Sequence, residues 1–299
     1  MITQHKHLDG LAIGLLIILC ASWGMHQVAI KATLPHITPL WQSSIRSAIA
    51  VVLVGAWMAA RREPLFERDG TLWPGLAAGV LFGFEFLLIF WGLSFTNVSR
   101  SIIFIYTAPF WVALGAHLFI PGETITRIQV IGLLCAFAGV ATALTDTLAM
   151  PSLVELLGDA MILVAALLWG ATTVLIKASR LADIAPAKTL FYQLAVSVVI
   201  LPLGALALGE EGIVSLSVLA VAGLLYQTVW VAFVTYLVWF WMIRRYPASR
   251  LSSFTFLTPL FGVLGGGLLL GEPITWAVLV AMVLVGAGIY LVNRPAPEG

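Results

Sequence analysis

Apolar residues dominate the chain in long runs that short polar segments separate. A helix of ~20 apolar residues is long enough to cross the hydrocarbon core of a bilayer. Several runs reach this length, so the pattern predicts an all-α membrane protein with ten transmembrane helices joined by short loops. Their predicted ranges are 10–31, 39–60, 72–94, 99–120, 127–145, 157–178, 187–208, 216–241, 250–270 and 274–293.

A set of residues occurs twice along the chain at a nearly constant spacing. The pairs 150 residues apart are Phe90 and Phe240, Trp91 and Trp241, Ser99 and Ser249, Arg100 and Arg250, Phe104 and Phe254, and Pro109 and Pro259. Trp23-Gly24 recurs as Trp169-Gly170, Pro39 as Pro186, and Gly122-Glu123 as Gly271-Glu272, at offsets of 146, 147 and 149 residues. Such self-similarity indicates an internal repeat. It divides the chain into residues 1–148 and 149–299, each with five predicted helices.

The distribution of lysine and arginine predicts the orientation of these helices, because cytoplasmic loops are enriched in both. With the N-terminus inside, twelve basic residues fall on the cytoplasmic side and only Lys31 and Arg100 on the other. The twelve are Lys6, Arg61, Arg62, Arg68, Arg127, Lys177, Arg180, Lys188, Arg244, Arg245, Arg250 and Arg294. Both termini are therefore expected in the cytoplasm. Since five is odd, the second repeat starts from the opposite side and is inverted, an arrangement typical of secondary transporters.

Composition narrows the class of protein further. The chain is 61% hydrophobic and 10% charged, whereas soluble domains have roughly 25% charged residues. The net charge of +1 gives no indication of nucleic-acid binding. We expect no metal and no cofactor, because the sequence lacks the motifs that bind them. The apolar run at residues 11–20 resembles a signal peptide, but its counterpart around Trp169 lies mid-chain, so we interpret it as a retained helix.

Each half has five predicted helices, with a Trp-Gly pair late in the first helix and a lysine that closes it. The fourth helix has a proline within it and a Gly-Glu pair at its end. These features resemble the drug/metabolite transporter superfamily of EamA type. The aromatic content resembles that of the YddG-type amino-acid exporters within it. The resemblance implies an exporter of small metabolites in a bacterial-type inner membrane. It also implies that helices three, four, eight and nine line a central cavity, with helices one, two, six and seven beside them.

Two charged residues lie within predicted helices. Glu85 falls midway along helix three, where an ionised group is costly unless it faces a cavity or a partner. Gly75, Gly79 and Gly83 form a packing ridge on the opposite face of that helix. Glu85 either binds a proton or a substrate amine, or is neutral and structural. Arg46 is a candidate charge partner for a substrate carboxylate; the alternative is a snorkelling or ion-paired arginine.

Polar and aromatic side chains supply further candidates for the cavity wall. Trp23, His26 and Gln27 share one helix face, and the second repeat has Trp169, Thr172 and Thr173 in the same places. These two polar stripes either line the wall of a water-filled cavity or join helices by hydrogen bonds. The predicted cavity residues are Trp23, His26, Gln27, Phe82, Glu85, Tyr106, Phe110, Trp169, Tyr226 and Trp230. For each aromatic residue, core packing or lipid contact is the alternative.

Pro109 and Pro259 lie in the middle of helices four and nine. Proline removes a backbone hydrogen bond and kinks a helix, so both residues are predicted hinges, with a static kink as the alternative. The sequence thus favours a secondary transporter that exports small metabolites, most of all amino acids, by alternating access. A multidrug or nucleotide-sugar carrier of the same superfamily is the second hypothesis. A membrane receptor or enzyme is the third, and no catalytic motif supports it. The expected partners are a small-molecule substrate and the lipid bilayer; the oligomeric state stays open, a monomer included.

Overall fold

A computed structural model describes residues 8–65, 67–96, 98–145, 151–270 and 275–294. Several residues used above lie outside these ranges: Lys6, the Gly271-Glu272 pair and the chain termini. Within the described ranges the protein is helical and has no β-strand. Its one extended contact there is an antiparallel bridge between Ile37 and Ile213.

Thirteen α-helices follow one another in the described residues. The first six are α1 (Gly10–Thr33), α2 (Pro39–Ala60), α3 (Leu72–Gly92), α4 (Val98–Ile105), α5 (Ala108–Phe119) and α6 (Arg127–Ala143). The next four are α7 (Leu153–Ala178), α8 (Pro186–Ala207), α9 (Val218–Leu225) and α10 (Tyr236–Arg245). The last three are α11 (Ala248–Phe254), α12 (Leu257–Leu270) and α13 (Trp276–Asn293). A 3-10 turn (Arg180–Ala182) precedes α8, and a π-helix (Tyr226–Thr235) joins α9 to α10.

Eight of the helical segments in the described residues are long and apolar enough to cross a membrane. Among them, Arg100–Phe119 combines α4 with α5, and Val218–Arg245 combines α9, the π-helix and α10. The apolar helix α6 is shorter, at 17 residues. The prediction of a multi-pass helical membrane protein is therefore confirmed.

The fourth and ninth predicted helices are interrupted, where the sequence suggested continuous helices with a kink. Helix α4 ends at Ile105 and α5 begins at Ala108, with Pro109 in the first turn of α5. Helix α11 ends at Phe254 and α12 begins at Leu257, so Pro259 also lies in a first turn. Proline is well tolerated there, because the N–H groups of a first turn have no partner within the helix. The chain therefore restarts a helix instead of bending one.

Threonine side chains stabilise both interruptions. Thr107 donates its hydroxyl to the carbonyl of Phe104 at 2.7 Å, and Thr255 donates to the carbonyl of Ser252 at the same distance. Each carbonyl also accepts from the backbone N–H of the same threonine at 3.1 Å, so the hydroxyl adds a second bond to a carbonyl at the end of the helix. The two breaks are thus built in the same way.

The glycine ridge of α3 packs closely against α8, as predicted. A Cβ atom at Gly79 would lie 2.6 Å from a methyl carbon of Val196, and one at Gly83 would lie 2.8 Å from Cδ1 of Ile200. Gly75 faces the ring of Tyr192 in the same manner. Any larger residue would separate the helices. The ridge therefore turns the opposite face of α3 away from α8.

Two of the repeated residues fix helix ends. Lys177, at the end of α7, donates its Nζ to the carbonyls of Ile243 and Tyr246 at 2.7 and 2.9 Å. Glu123, just after α5, accepts from the backbone N–H groups of Ala248 and Ser249 at 3.0 and 3.3 Å. A cation at a helix C-terminus and a carboxylate at an N-terminus both complement the helix dipole. The motif residues thus hold α10 and α11 in place.

Candidate functional site

A cavity of about 220 Å³ lies between helices from both parts of the chain. Residues of α1, α3 and α4 form one part of its wall, and residues of α7, α8, α10 and α12 form the other. Seven of the ten predicted cavity residues line it: Trp23, His26, Gln27, Phe82, Glu85, Tyr106 and Trp169. The cavity brings together residues that are far apart in sequence.

The polar stripes of α1 and α7 both face this cavity. His26 and Gln27 line it from α1, and Thr172 and Thr173 line it from α7. Some groups also join helices, since Trp23 donates its Nε1 to Thr235 Oγ1 at 2.9 Å. The two alternatives for these stripes therefore coexist: the same face supplies both the cavity wall and an interhelical hydrogen bond.

Glu85 reaches the cavity from α3 and is 6% exposed. Its Oε2 atom has no hydrogen-bond partner among the described residues. Phe82 and Phe86 flank it along the helix, with ring centroids 4.8 Å apart. A buried acceptor next to these rings is costly in the absence of a donor. A cationic or hydroxyl-bearing ligand would supply one.

Aromatic rings form much of the remaining wall. Trp23 contacts Trp239 and Tyr236 edge-on, with centroid distances of 5.4 and 6.3 Å. Tyr236 also contacts Phe82 at 6.0 Å, and Tyr106 lies across the cavity wall next to Trp169 at 6.3 Å. Edge-to-face contacts of this kind fix ring positions. The aromatic part of the wall is therefore apolar and held together by contacts between its rings.

Three predicted cavity residues lie elsewhere. Phe110 packs edge-on against Phe137 and Phe256, with centroid distances of 5.6 and 6.3 Å. Tyr226 donates its hydroxyl to the carbonyl of Ser22 at 3.0 Å, and Trp230 donates its Nε1 to Ser22 Oγ at 2.9 Å. None of the three is among the residues that line the cavity in the described part of the chain. The polar atoms of Tyr226 and Trp230 join the π-helix to α1.

Arg46 is buried beside the cavity and does not line it. Its guanidinium carbon lies 4.5 Å from the centre of the Phe86 ring, and Nη2 donates to Ser43 Oγ at 3.2 Å. It is close enough to Glu85 to interact electrostatically, although within the described ranges the two form no ion pair. Its direct contacts are thus a cation–π contact with Phe86 and the hydrogen bond to Ser43.

The predicted hinges lie close to the cavity as well. Tyr106 is in the break between α4 and α5, three residues before Pro109, and it lines the cavity. Thr258, which also lines it, directly precedes Pro259. A change at either break would therefore move cavity residues.

Several lining residues were not predicted as site residues, and they include Gln193, Tyr236, Phe240 and Thr258. Gln193 is fully buried, and both polar atoms of its amide lack a partner among the described residues. In the sequence it pairs with Arg46, because the two are 147 residues apart, like Pro39 and Pro186. A polar residue in the apolar helix α8 was the signal that could have identified it.

The described helices thus form a membrane protein with a cavity between them. The sequence profile of the EamA-like transporter family matches residues 10–145 and again residues 156–294. The chain belongs to the EamA-like transporter family. It is a transporter of the drug/metabolite superfamily and a multi-pass protein of the inner membrane, with a small-molecule substrate and a lipid environment.

Other EamA-like proteins are similar over most of this chain. The "Probable amino-acid metabolite efflux pump" of Salmonella typhimurium is 26% identical over 278 residues, which cover 90% of each chain. The protein of the same name from Escherichia coli is 25% identical over 278 residues, again 90% of each chain. "Uncharacterized transporter YoaV" of Bacillus subtilis is 25% identical over 271 residues, covering 90% of this chain and 92% of that protein.

One solved crystal structure has the same fold. It superposes with a TM-score of 0.81 over 96% of this chain and 97% of its own, at 16% sequence identity. At that level of identity the likeness concerns the fold alone.

Proposed function

We propose that this transporter exports amino acids, aromatic and apolar ones included, or closely related small metabolites, through alternating access around the central cavity. The observation that carries the proposal is the cavity wall. It combines aromatic rings with Glu85, and it contains no lysine or arginine among the described residues. Apolar walls with a few placed polar groups suit amphipathic ligands. Two relatives that are named amino-acid metabolite efflux pumps also support it.

Glu85 is the group that we assign to the ammonium of the substrate. A protonated amine would donate to its unpartnered Oε2 atom, and a charge-assisted bond of this kind is among the stronger hydrogen bonds. Trp23, His26, Gln27, Phe82, Tyr106 and Trp169 would enclose the rest of the molecule. Phe110, Tyr226 and Trp230 would act behind this wall through the packing and hydrogen bonds described above.

The proposed architecture is a pair of inverted five-helix repeats, residues 1–148 and 149–299, with ten membrane-spanning segments and both termini in the cytoplasm. Two separate matches to one family profile support the duplication. The matching helix breaks before Pro109 and Pro259 support it too, because each repeat contributes one. Inverted repeats can exchange conformations and so expose one site alternately to the two sides.

A multidrug carrier of the same superfamily is the alternative function. The carboxylate of Glu85 in an aromatic cavity would also suit a lipophilic cation. The cavity size favours the metabolite, since about 220 Å³ is below the roughly 300–1,000 Å³ of sites for drug-sized ligands. A nucleotide sugar fits least, because the described wall offers no basic side chain for phosphate.

The experiment is counterflow in proteoliposomes that contain the purified protein. Vesicles loaded with an unlabelled amino acid should accumulate the same radiolabelled amino acid, with and without a pH gradient. A labelled lipophilic cation serves as the comparison substrate. Uptake of the cation alone would overturn the proposal and support the multidrug alternative.

A further inference from the structure

Gln193 has a buried side-chain amide that forms no hydrogen bond with the other described residues of the cavity wall. It lies on α8, is fully buried and lines the cavity, and neither its Oε1 nor its Nε2 has a partner among the described residues. Buried polar groups almost always have hydrogen-bond partners. Another buried amide nearby follows this rule, since Gln227 donates its Nε2 to Gln42 Oε1 at 3.1 Å.

The position of Gln193 relative to Glu85 follows from the packing of α3 on α8. The contact pairs are Gly75 with Tyr192, Gly79 with Val196, and Gly83 with Ile200. The two helices therefore run in the same direction, because the residues of all three pairs are separated by the same 117 positions in the sequence. Gly79 also lies against the carbonyl of Tyr192. Gln193 is thus level with residues 76–78 of α3.

Glu85 lies seven to nine residues beyond this level, which corresponds to roughly 10–14 Å along the helix axis. Glutamate and glutamine side chains have the same length and lean in the same direction along parallel helices, so their polar ends are separated by this distance along the axis, to which the lateral spacing of the two side chains adds. After one hydrogen bond of about 3 Å at each end, a minimum of roughly 4–8 Å remains for a ligand. A free amino acid with a polar side-chain end fits this span.

We propose that Gln193 is a specificity-determining residue that binds the far end of the substrate, so that the transporter prefers amino acids whose side chain ends in a hydroxyl, amide or N–H group. This inference rests on the proposed function, in which Glu85 binds the ammonium. An amide donates and accepts, so it can pair with each of these groups. An apolar side chain would leave the buried amide without a partner, and a site built for hydrogen bonding discriminates against such analogues.

The test compares two substrate pairs that differ at the far end: glutamine with norleucine, and tyrosine with phenylalanine. For each amino acid, KM is measured by counterflow in proteoliposomes. We expect the wild type to prefer the polar member of each pair by about tenfold, the value of one lost hydrogen bond in a buried site. In Gln193→Leu the preference should disappear, mainly because KM rises for the polar member.

Two further variants make the result specific. Gln193→Asn keeps the amide on a shorter side chain, so it should reduce the preference for the polar member in part. This variant also tests the role of Gln193 if Gln193→Leu does not fold. Ser197→Ala is the matched control, because Ser197 is buried one turn along α8, donates its hydroxyl to the backbone carbonyl of Gln193 at 2.7 Å and not to its side-chain amide, and does not line the cavity. It should keep the preference of the wild type.

The outcomes separate the two proposals. If the folded wild type carries none of the four amino acids, the proposed function is wrong and the assignment of Gln193 falls with it. If the wild type carries them and the polar-to-apolar ratio is the same in the Gln193 variants, only the assignment of Gln193 is wrong.

Discussion

Trp23 and Thr235, which are 212 residues apart in sequence, are joined by a hydrogen bond of 2.9 Å from the indole Nε1 to Oγ1. Thr235 is the residue that the repeat pairs with Glu85, since the two differ by 150 positions. It also donates to the carbonyl of Val231 at 2.6 Å. The position that holds a carboxylate with an unpartnered Oε2 atom in one half of the chain thus holds a hydroxyl that both donates and accepts in the other. The two halves of the cavity are chemically different.

Replacing Glu85 tests the proposed amine site. Glu85→Gln keeps the shape of the side chain and removes its charge. We expect the affinity for amino acids to fall about 10- to 100-fold, the value of a hydrogen bond to a charged group, with or without a pH gradient. Counterflow measures this change, and Thr235→Val controls for the loss of a polar group at the paired position.

Two other results would contradict that prediction. Loss of pH-gradient-driven transport with normal exchange would show that Glu85 couples transport to protons. Affinity and pH response like those of the wild type would show that its role is structural.

The helix breaks before Pro109 and Pro259 allow a test of the hinge proposal. Alanine at either position restores an N–H group and favours a continuous helix through the break. Exchange should slow by about tenfold, which corresponds to a barrier higher by about 1.4 kcal/mol, while the folded yield stays similar. Exchange rates in proteoliposomes provide the measurement. Pro202→Ala is the matched control, because Pro202 lies inside the continuous helix α8. Unchanged rates in both hinge variants would leave the static kink as the explanation.

Cysteine labelling tests the orientation in the membrane. Asp146→Cys should react with a membrane-impermeant maleimide added to whole cells, and Arg62→Cys should react only after the cells are opened. The native thiols require a Cys135→Ser background, since Cys20 is buried and Cys135 is only partly so. The reverse pattern of labelling would contradict the proposed inverted architecture.

An ion pair at the start of α3 predicts a dependence of stability on pH. Asp69 accepts from Lys188 Nζ at 2.7 Å, from Thr71 Oγ1 at 2.6 Å and from Thr71 N at 2.9 Å. The bond from Lys188, followed by those from Thr71, lowers the pKa of Asp69 below its ordinary value. A lowered pKa in the folded state means that these bonds stabilise the protein above the unfolded pKa of about 4, and that the contribution is lost as the pH falls further.

Asp69→Asn should therefore destabilise the protein by about 1–3 kcal/mol at pH 7 and by less at pH 3, where the carboxyl group of the unfolded chain is largely protonated. Thermal unfolding in detergent, followed across this range, measures the difference. Glu67→Gln alters an exposed carboxylate two residues earlier and serves as the control. A constant difference between Asp69→Asn and the wild type at all pH values would refute the linkage.

The sequence predicted the helices well where length and apolar content decide the structure. Helix α2 occupies the predicted range, and α1 and α3 differ from theirs by two residues at one end. The breaks in helices four and nine were not predicted, because a proline in an apolar run indicates a local disturbance without showing whether the helix bends or restarts. The threonine hydrogen bonds that favour a restart depend on the backbone conformation.

The sequence predicted only some of the residues that line the cavity, and the reason for success or failure differs from residue to residue. Glu85, Trp23 and Trp169 stand out because charge or a repeated polar stripe marks their helix face. Tyr226 and Trp230 were chosen for their polar atoms, but those atoms bind Ser22. An aromatic residue in an apolar helix fits cavity, core or lipid equally well, and only the packing of neighbouring helices decides between them.

The π-helix Tyr226–Thr235 bears on the history of the two repeats. The offset between matching residues is 147 at Pro39 and Pro186 but 150 at Phe90 and Phe240, so the second repeat carries three additional residues in that interval. The π-helix lies within it. A residue inserted into an α-helix can be wound into a π-turn without rotating the faces of the flanking helix. We interpret this stretch as the place where one of the three additional residues is accommodated inside a membrane helix, and the deletion of one residue from it is expected to return the span to α-helix with Tyr236 and Trp239 still facing the cavity.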